Sequence, residues 1–313
     1  MTDRLPGTPP FTDPFTTHLT IPSGGARLHV AGGPAAVVAA SASSPSPEAY
    51  SPDRPGLFLL PGYADHLGRY AETVHHLRNQ GYPVWGMDPR GHGLSSGRRG
   101  YVRRFADHLD DLEAGVDAAQ RASGVNDWFV LAHSTGALVV LLSLLKRPTA
   151  LAALGVRGAA LTSPLLGIRL KTPLWRRALG MVAGALLPRL SIQPGGKPYH
   201  NSHDPVEQQK RLTDPLVFTT VNARWYAEAS RAMALVRGHA GPLPLPVGVW
   251  FAGDDQLVDP EVTQRFAGDV PGVAWTRYPG MYHEILFEVD RPRVWRDIVA
   301  WLERVGQESP AGR

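Results

Sequence analysis

The stretch WFVLAHSTGALVVLLSLLK, residues 128–146, decides the fold of this chain. Its first part, residues 128–132, is a short apolar run that predicts a buried strand. The apolar run that follows Gly136 is long enough for a buried helix. Ser134 therefore stands where a strand turns directly into a helix. In a nucleophile elbow, such a serine holds its hydroxyl above the sheet on a strained turn.

The match to that elbow is incomplete at one position. Small residues are needed two places before and two places after the serine, because the strand and the helix pass close together there. Gly136 meets this need, whereas Ala132 stands where a glycine is usual and adds one methyl group. We expect the turn to absorb that methyl group. Taken alone, the motif is also compatible with an ordinary serine at the end of a strand.

The same theme of an apolar run, a glycine-containing turn and a helical pattern repeats along the chain. This repetition is typical of βαβ units, and it predicts an α/β fold with a mostly parallel central sheet flanked by helices. The predicted strands cover residues 57–60, 82–87, 128–132, 156–161, 247–252 and 273–278, and the predicted helices lie around residues 70–77, 105–116, 136–146 and 294–302.

The regular alternation of predicted strands and helices breaks off between residue 163 and about residue 241. The break predicts a core of residues 1–163 and 242–313, interrupted by a helical insertion over residues 164–241, with helices over residues 172–190 and around residues 223–236. An insertion of this size beside a candidate site is expected to form a cap over the pocket. An extra helical layer packed on the core is the alternative.

Composition excludes several classes of protein. With 43% hydrophobic and 19% charged residues among 313, the chain can bury a sizeable core. Its formal charge of +4 is spread, and no basic tract is interleaved with aromatics, so no nucleic-acid partner is expected. Cysteine is absent, which excludes disulfides and cysteine nucleophiles. The N-terminus lacks the apolar region of a signal peptide, and no run of about 18 apolar residues occurs, which predicts a cytoplasmic protein.

No cofactor or metal is expected either. The glycines from Gly91 to Gly100 lack the strand–G-x-G-x-x-G–helix register of a dinucleotide site. His75, His76, His200 and His203 lack the spacing and the carboxylate company of a metal site.

Two later motifs supply partners for Ser134. A serine hydroxyl becomes a good nucleophile when a histidine accepts its proton and an acid orients that histidine. FAGDDQLVDP, residues 251–260, offers three aspartates after a predicted strand, and PGMYHEILFE, residues 279–288, offers His283 after the next. The order serine, acid, histidine is the one this kind of sheet uses, and its sites lie at the carboxyl ends of strands. The candidates for the acid are Asp254, Asp255 and Asp259.

At this point the chain resembles a known family. Five motifs are similar to those of the monoacylglycerol lipase and lysophospholipase branch of the serine α/β-hydrolases, and together they cover most of the chain, from about residue 57 to residue 302. The motifs are LLPGYADHLGRY, MDPRGHGLSSGRRGYV, LAHSTGA, FAGDDQLVD and GMYHEILFE. The resemblance implies an α/β-hydrolase fold with Ser134 as nucleophile, His283 as general base and Asp255 as orienting acid, and it treats Asp259 as a loop-capping residue.

The resemblance also implies an oxyanion hole made by the backbone N–H groups of Tyr63 and Thr135. The chain departs from the family here, because Pro61 precedes Gly62 where the family usually has His-Gly. Since the donor is a backbone group, we expect this change to alter the support of the loop without abolishing the hole. His92 and His133 are expected to be structural, with His133 pointing away from the serine hydroxyl.

The predicted function is hydrolysis of a lipid carboxylic ester, a monoacylglycerol or a lysophospholipid, through an acyl-serine intermediate. The insertion contains a helix over residues 172–190 that is either buried cap core or an apolar lip for acyl chains, with transient contact to membrane surfaces. Its apolar residues are Leu174, Trp175, Leu179, Val182 and Leu186.

Three other functions stay open. A general short-chain carboxylesterase would use the same residues. An aminopeptidase of the same fold is suggested faintly by AGGP at residues 31–34, although the comparable loop should follow the strand at residues 57–60. A ligand-binding pseudo-hydrolase is disfavoured because all three catalytic positions are filled.

Overall fold

The computed structural model describes residues 13–34, 54–169, 174–193 and 201–308. Within them, eight strands form one sheet: β1 Thr17–Ser23, β2 Ala26–Gly33, β3 Gly56–Leu60, β4 Val84–Met87, β5 Trp128–His133, β6 Val156–Thr162, β9 Val247–Ala252 and β10 Ala274–Tyr278. Their order in the sheet is β1-β2-β4-β3-β5-β6-β9-β10. The first two strands are antiparallel to each other, β2 is antiparallel to β4, and the remaining neighbours are parallel.

Helices cover both faces of this sheet. The helices are α1 Ala71–Asn79, α2 Ala106–Ser123, α3 Thr135–Lys146, α4 Ala150–Ala153, α5 Leu174–Leu186, α6 Pro205–Thr213, α7 Ala223–Arg237, α8 Pro260–Asp269 and α9 Arg291–Glu308. Side chains alternate along each strand, so Phe58 and Val130 pack with α2 and α3, whereas Leu59 and Leu131 pack on the opposite face with α1 and α9. The predicted fold class, a mostly parallel sheet flanked by helices, is confirmed.

The hairpin of β1 and β2 was not predicted from the sequence. Its turn is formed by Gly24 and Gly25, with φ of 48° and 83°, which glycine adopts without steric cost. The alternating pattern on either side of these two glycines is the signal that would have revealed it. Of the AGGP sequence, residues 31–33 are the last of β2 and Pro34 follows the strand; a Cβ on Gly32 would lie 2.0 Å from the ring of Trp85.

Between β6 and β9 the chain leaves the sheet. It forms α5, α6 and α7, and a small antiparallel pair of strands, β7 Ser191–Ile192 and β8 Val221–Asn222. Sequence patterns predicted α5 and α7 but not α6. Buried residues of α7, among them Ala229 and Met233, belong to the same apolar cluster as α3. The limits of the insertion at residues 164–241 stay a prediction.

No helix in the described part of the chain is long and apolar enough to span a lipid bilayer.

Candidate active site

Ser134 lies on a strained turn between β5 and α3. Its φ of 50° and ψ of −111° belong to a region that residues with a side chain seldom adopt. Backbone hydrogen bonds hold the turn: its N–H donates to Thr162 O at 2.9 Å, and its carbonyl accepts from Leu138 N at 3.1 Å and Leu165 N at 3.0 Å. Such strain persists only where the surroundings enforce it, and it is typical of functional sites.

The two positions flanking the serine explain the incomplete motif. A Cβ on Gly136 would lie 2.4 Å from Leu60 O and 2.7 Å from Pro61 O, both backbone atoms, so this position requires glycine. Ala132 is buried at 1% exposure, with its methyl group inside the apolar cluster on one face of the sheet. The methyl group at Ala132 is therefore accommodated by packing.

Three of the predicted site residues meet at this turn. His283 Nε2 lies 3.0 Å from Ser134 Oγ, and His283 Nδ1 lies 2.6 Å from Asp255 Oδ2. All three side chains are buried. Because a carboxylate only accepts, the Nδ1–H donates to Asp255, which leaves Nε2 free to accept the serine proton. This is the arrangement that activates a serine hydroxyl for attack on a carbonyl.

Of the three candidate acids, only Asp255 reaches His283. Its second oxygen, Oδ1, accepts the backbone N–H groups of Leu257 and Val258, both at 2.8 Å, which fixes the carboxylate. Asp254 is exposed. Asp259 caps the start of α8, where its Oδ1 accepts the N–H of Glu261 at 3.0 Å.

The electrostatic surroundings favour proton transfer to His283. Burial disfavours the imidazolium, but the Asp255 carboxylate outweighs this effect and raises the pKa of His283 above its ordinary value. The ring of His133 lies 4.9 Å away, and burial lowers the pKa of His133 to about 3, so this neighbour stays neutral. As expected, His133 points elsewhere, with its Nδ1 3.0 Å from Thr162 Oγ1.

Tyr63 and Thr135, the residues expected to supply the oxyanion donors, border one small apolar cavity together with Gly62 and Gly136. As the first residue of α3, Thr135 has no intrahelical acceptor for its N–H. The N–H of Tyr63 donates to no oxygen of the described residues. A Cβ on Gly62 would approach Ser134 Cβ to 3.1 Å, which shows how closely the loop after β3 passes the serine.

A buried ionic cluster beside His283 was missed by sequence reasoning. Glu284 Oε2 accepts from Arg69 Nη2 at 2.8 Å, and Glu284 Oε1 accepts from Arg211 Nη1 at 2.8 Å and Asn201 Nδ2 at 3.1 Å. Burial opposes the charge of Glu284, but Arg211 and Arg69 hold the pKa of its carboxyl well below the ordinary range. These residues come from separate segments, so no motif spacing announces the cluster.

His92 was expected to be structural, and its contacts agree with that expectation. The Nδ1–H of His92 donates to Arg90 O at 2.9 Å, and burial lowers the pKa of His92 to about 4, so it supports its loop as a neutral residue.

No group of three or more histidines and carboxylates suited to a metal ion is found in the described ranges.

Comparison with known proteins places this geometry in a family. Residues 51–290 match the model of a hydrolase family described as "Serine aminopeptidase, S33", and the match spans well over half of the chain. The chain belongs to this family. As an α/β-hydrolase of the S33 group, it has the fold and the enzyme class that its sequence motifs predicted.

Relatives of this S33 hydrolase are named for lipid substrates. Phospholipase YtpA of Bacillus subtilis (strain 168) is 29% identical over 265 residues, which cover 80% of this chain and 97% of the relative. Monoacylglycerol lipase of Mycolicibacterium smegmatis is 26% identical over 275 residues, 82% of this chain and 91% of that protein. The crystal structure of Paleococcus ferrophilus monoacylglycerol lipase superposes with a TM-score of 0.71 at 26% identity, covering 80% of this chain and 94% of the other. The resemblance inferred from the five motifs is confirmed.

Proposed function

We propose that Ser134, His283 and Asp255 hydrolyse a carboxylic ester of a lipid, a monoacylglycerol or a lysophospholipid. The observation that carries this proposal is the continuous hydrogen-bonded line from Ser134 Oγ through His283 to Asp255, with distances of 3.0 and 2.6 Å. The relatives named phospholipase and monoacylglycerol lipase support the lipid class of substrate.

The reaction has two halves. Ser134 Oγ attacks the ester carbonyl as its proton moves to His283 Nε2, and the N–H groups of Tyr63 and Thr135 stabilise the oxyanion. The tetrahedral intermediate collapses, and the alcohol leaves with the proton from His283. Water then attacks the acyl carbonyl as its proton moves to His283, and His283 passes this proton to Ser134 Oγ as the acyl–serine bond breaks, which releases the fatty acid and restores the serine hydroxyl. Asp255 stabilises the imidazolium in both halves.

The outer face of α5 supports contact with lipid. Trp175, Leu179, Val182 and Leu186 recur every three or four residues, so they share one side of the helix. They are 63%, 59%, 51% and 74% exposed. The side chain of Leu174 lies outside the described residues. An exposed apolar stripe of this kind is expected at a protein or membrane contact.

The opposite face of α5 explains why this stripe points outward. A Cβ on Gly180 would lie 2.9 Å from the ring of Tyr226, and one on Gly184 would lie 2.6 Å from Ala223 O and Ala227 Cβ. The glycines therefore allow α5 to lie directly on α7. Because they lie on the side of the helix away from the apolar stripe, that stripe is turned away from α7.

We propose that this stripe touches membrane surfaces transiently, within a cap formed by residues 164–241. Sedimentation with phosphatidylcholine vesicles tests the contact. Wild-type protein is expected to sediment in part, and Leu179→Ser with Leu186→Ser is expected to stay in solution. Trp275→Ser removes a 43% exposed apolar residue from β10 and serves as the control. Equal sedimentation of all three proteins would contradict a role for α5.

A peptidase reaction is less well supported by the site. An aminopeptidase needs an acidic group to bind the α-ammonium of its substrate. Glu284 is next to His283, but Arg69, Arg211 and Asn201 already occupy its carboxylate. Aminoacyl-naphthylamides are therefore expected to be poor substrates.

Labelling with a fluorophosphonate probe tests the proposed nucleophile. Wild-type protein is expected to label and Ser134→Ala to lose the label; a wild type that does not label would overturn the proposal. A series of p-nitrophenyl and glycerol esters tests the substrate class. Activity confined to acetyl and butyryl esters, with none on chains of about twelve carbons, would indicate a general carboxylesterase.

A further inference from the structure

The side chain of Tyr63 joins the loop after β3 to the segment that precedes α7. Its hydroxyl accepts the backbone N–H of Asn222 at 3.1 Å and donates to Thr220 O at 3.2 Å. Its ring lies 3.8 Å from the ring of Trp225, centre to centre, and meets Phe218 edge-on at 5.3 Å. Tyr63 thus makes both polar and apolar contacts with residues 218–225.

Burial and the close approach of Gly100 define the surroundings of the Tyr63 hydroxyl. Burial raises the pKa of Tyr63 to about 12, so the hydroxyl remains neutral and keeps its hydrogen bonds over the working range of pH. Gly100 approaches it so closely that a Cβ there would lie 2.1 Å from the Tyr63 oxygen. With a φ of 64°, Gly100 also occupies a backbone conformation that favours glycine.

The backbone next to Tyr63 is strained and is held from both sides. Ala64 has a φ of 59°, in the left-handed region. Asp65 follows, and its carboxylate is bound by Arg69 at 3.0 Å and by the Tyr70 hydroxyl at 2.9 Å. The N–H of Tyr63 therefore belongs to a short segment anchored to the core at Asp65 and to residues 218–225 by the Tyr63 side chain. Neighbouring contacts must maintain such a conformation.

We propose that the Tyr63 side chain is a positioning group for the oxyanion hole, so that residues 218–225 set the place of the Tyr63 N–H. The inference rests on the proposed function, which assigns this N–H to the oxyanion. A donor stabilises the transition state only when it lies about 2.7–3.1 Å from the developing oxyanion. A displaced donor therefore lowers kcat and leaves substrate binding nearly unchanged.

Tyr63→Phe tests this role, because it keeps the ring and removes the hydroxyl. Loss of a whole oxyanion donor costs about 10²–10³ in kcat, so a displaced donor is expected to cost about tenfold. KM is expected to stay within about twofold. An alkyl trifluoromethyl ketone forms a tetrahedral adduct whose oxyanion fills the hole, so its affinity should fall by the same factor as kcat.

Two further variants control the experiment. Tyr82→Phe removes the hydroxyl of a buried tyrosine elsewhere, one that packs against Arg54 just before β4, and is expected to leave kcat and ketone affinity unchanged. Phe218→Ala loosens the contact from the other side without altering Tyr63, and a loss of about threefold in both quantities is expected.

The outcomes separate this inference from the proposed function. A wild type that does not label with a fluorophosphonate contradicts the proposed function itself. A wild type that labels and hydrolyses esters, beside a Tyr63→Phe variant with unchanged kcat and ketone affinity, overturns the positioning role alone. A raised KM at constant kcat would also overturn it, because the side chain would then shape the substrate pocket and not the hole.

Discussion

His66 Nε2 lies 2.7 Å from Asp214 Oδ2, and both side chains are buried. The pair connects the loop after β3 to the residue that ends α6. Burial opposes the charge on each, but the Asp214 hydrogen bond and nearby carboxylates raise the pKa of His66, and His66 lowers the pKa of Asp214. The structure therefore favours an ion pair at this contact.

Asp214→Asn is expected to lower the free energy of unfolding by about 1–3 kcal/mol near pH 5.5, because it leaves a buried histidine without its counter-charge. The raised pKa of His66 contributes stability below its unfolded value of about 6.5 and loses it as pH rises through the folded value. The difference between the two proteins should therefore narrow at alkaline pH. Thermal unfolding of both proteins at several pH values measures this difference in the free energy of unfolding. A difference that grows with pH would contradict the ion pair.

Asp255→Asn is expected to lower kcat/KM on a p-nitrophenyl ester by about 10⁴, because an amide can stabilise the wrong tautomer of His283. The amide oxygen can still accept from Leu257 and Val258, so the loop should keep its shape. Asp254→Asn, one residue earlier and exposed, is the matched control and should retain full activity. The reverse result would assign the acid to Asp254.

The pH dependence of kcat/KM is expected to reflect the pKa of His283. The base must be neutral, so activity falls as pH decreases through its pKa. Since Asp255 raises that pKa, the acid limb should lie above the ordinary histidine value of 6.5. In Asp255→Asn, the residual activity should show this limb at lower pH. An identical limb in both proteins would mean that another group controls it.

Gly136→Ala is expected to abolish labelling by a fluorophosphonate, because the new Cβ would overlap the carbonyl oxygens of Leu60 and Pro61. Gly268→Ala, on α8, where an added Cβ would have no neighbouring atom within 4 Å, should be neutral or slightly stabilising. Ala132→Gly, which restores the usual glycine, should label normally at a stability cost of about 1 kcal/mol. Normal labelling of Gly136→Ala would show that the elbow tolerates a side chain there.

Much of the fold could be predicted from local patterns. Apolar runs and helical faces marked six strands of the sheet, and the five motifs indicated the family, because a buried strand and an amphipathic helix each leave a periodic trace in the sequence. The hairpin of β1 and β2 was not predicted, although an alternating apolar pattern is present on either side of its turn. The helix α6 was also missed, although Asp204 followed by Pro205 is a start signal for a helix.

By itself, the sequence indicated the type of chemistry, since cysteine is absent and the order serine, aspartate, histidine was already visible. The tertiary structure decided which groups meet. It brought Asp255 to His283, bound Glu284 to Arg69 and Arg211, and tied Tyr63 to residues 218–225. Such contacts join side chains far apart in the chain, and they depend on how the sheet and the helices pack, which leaves no periodic signal in the sequence.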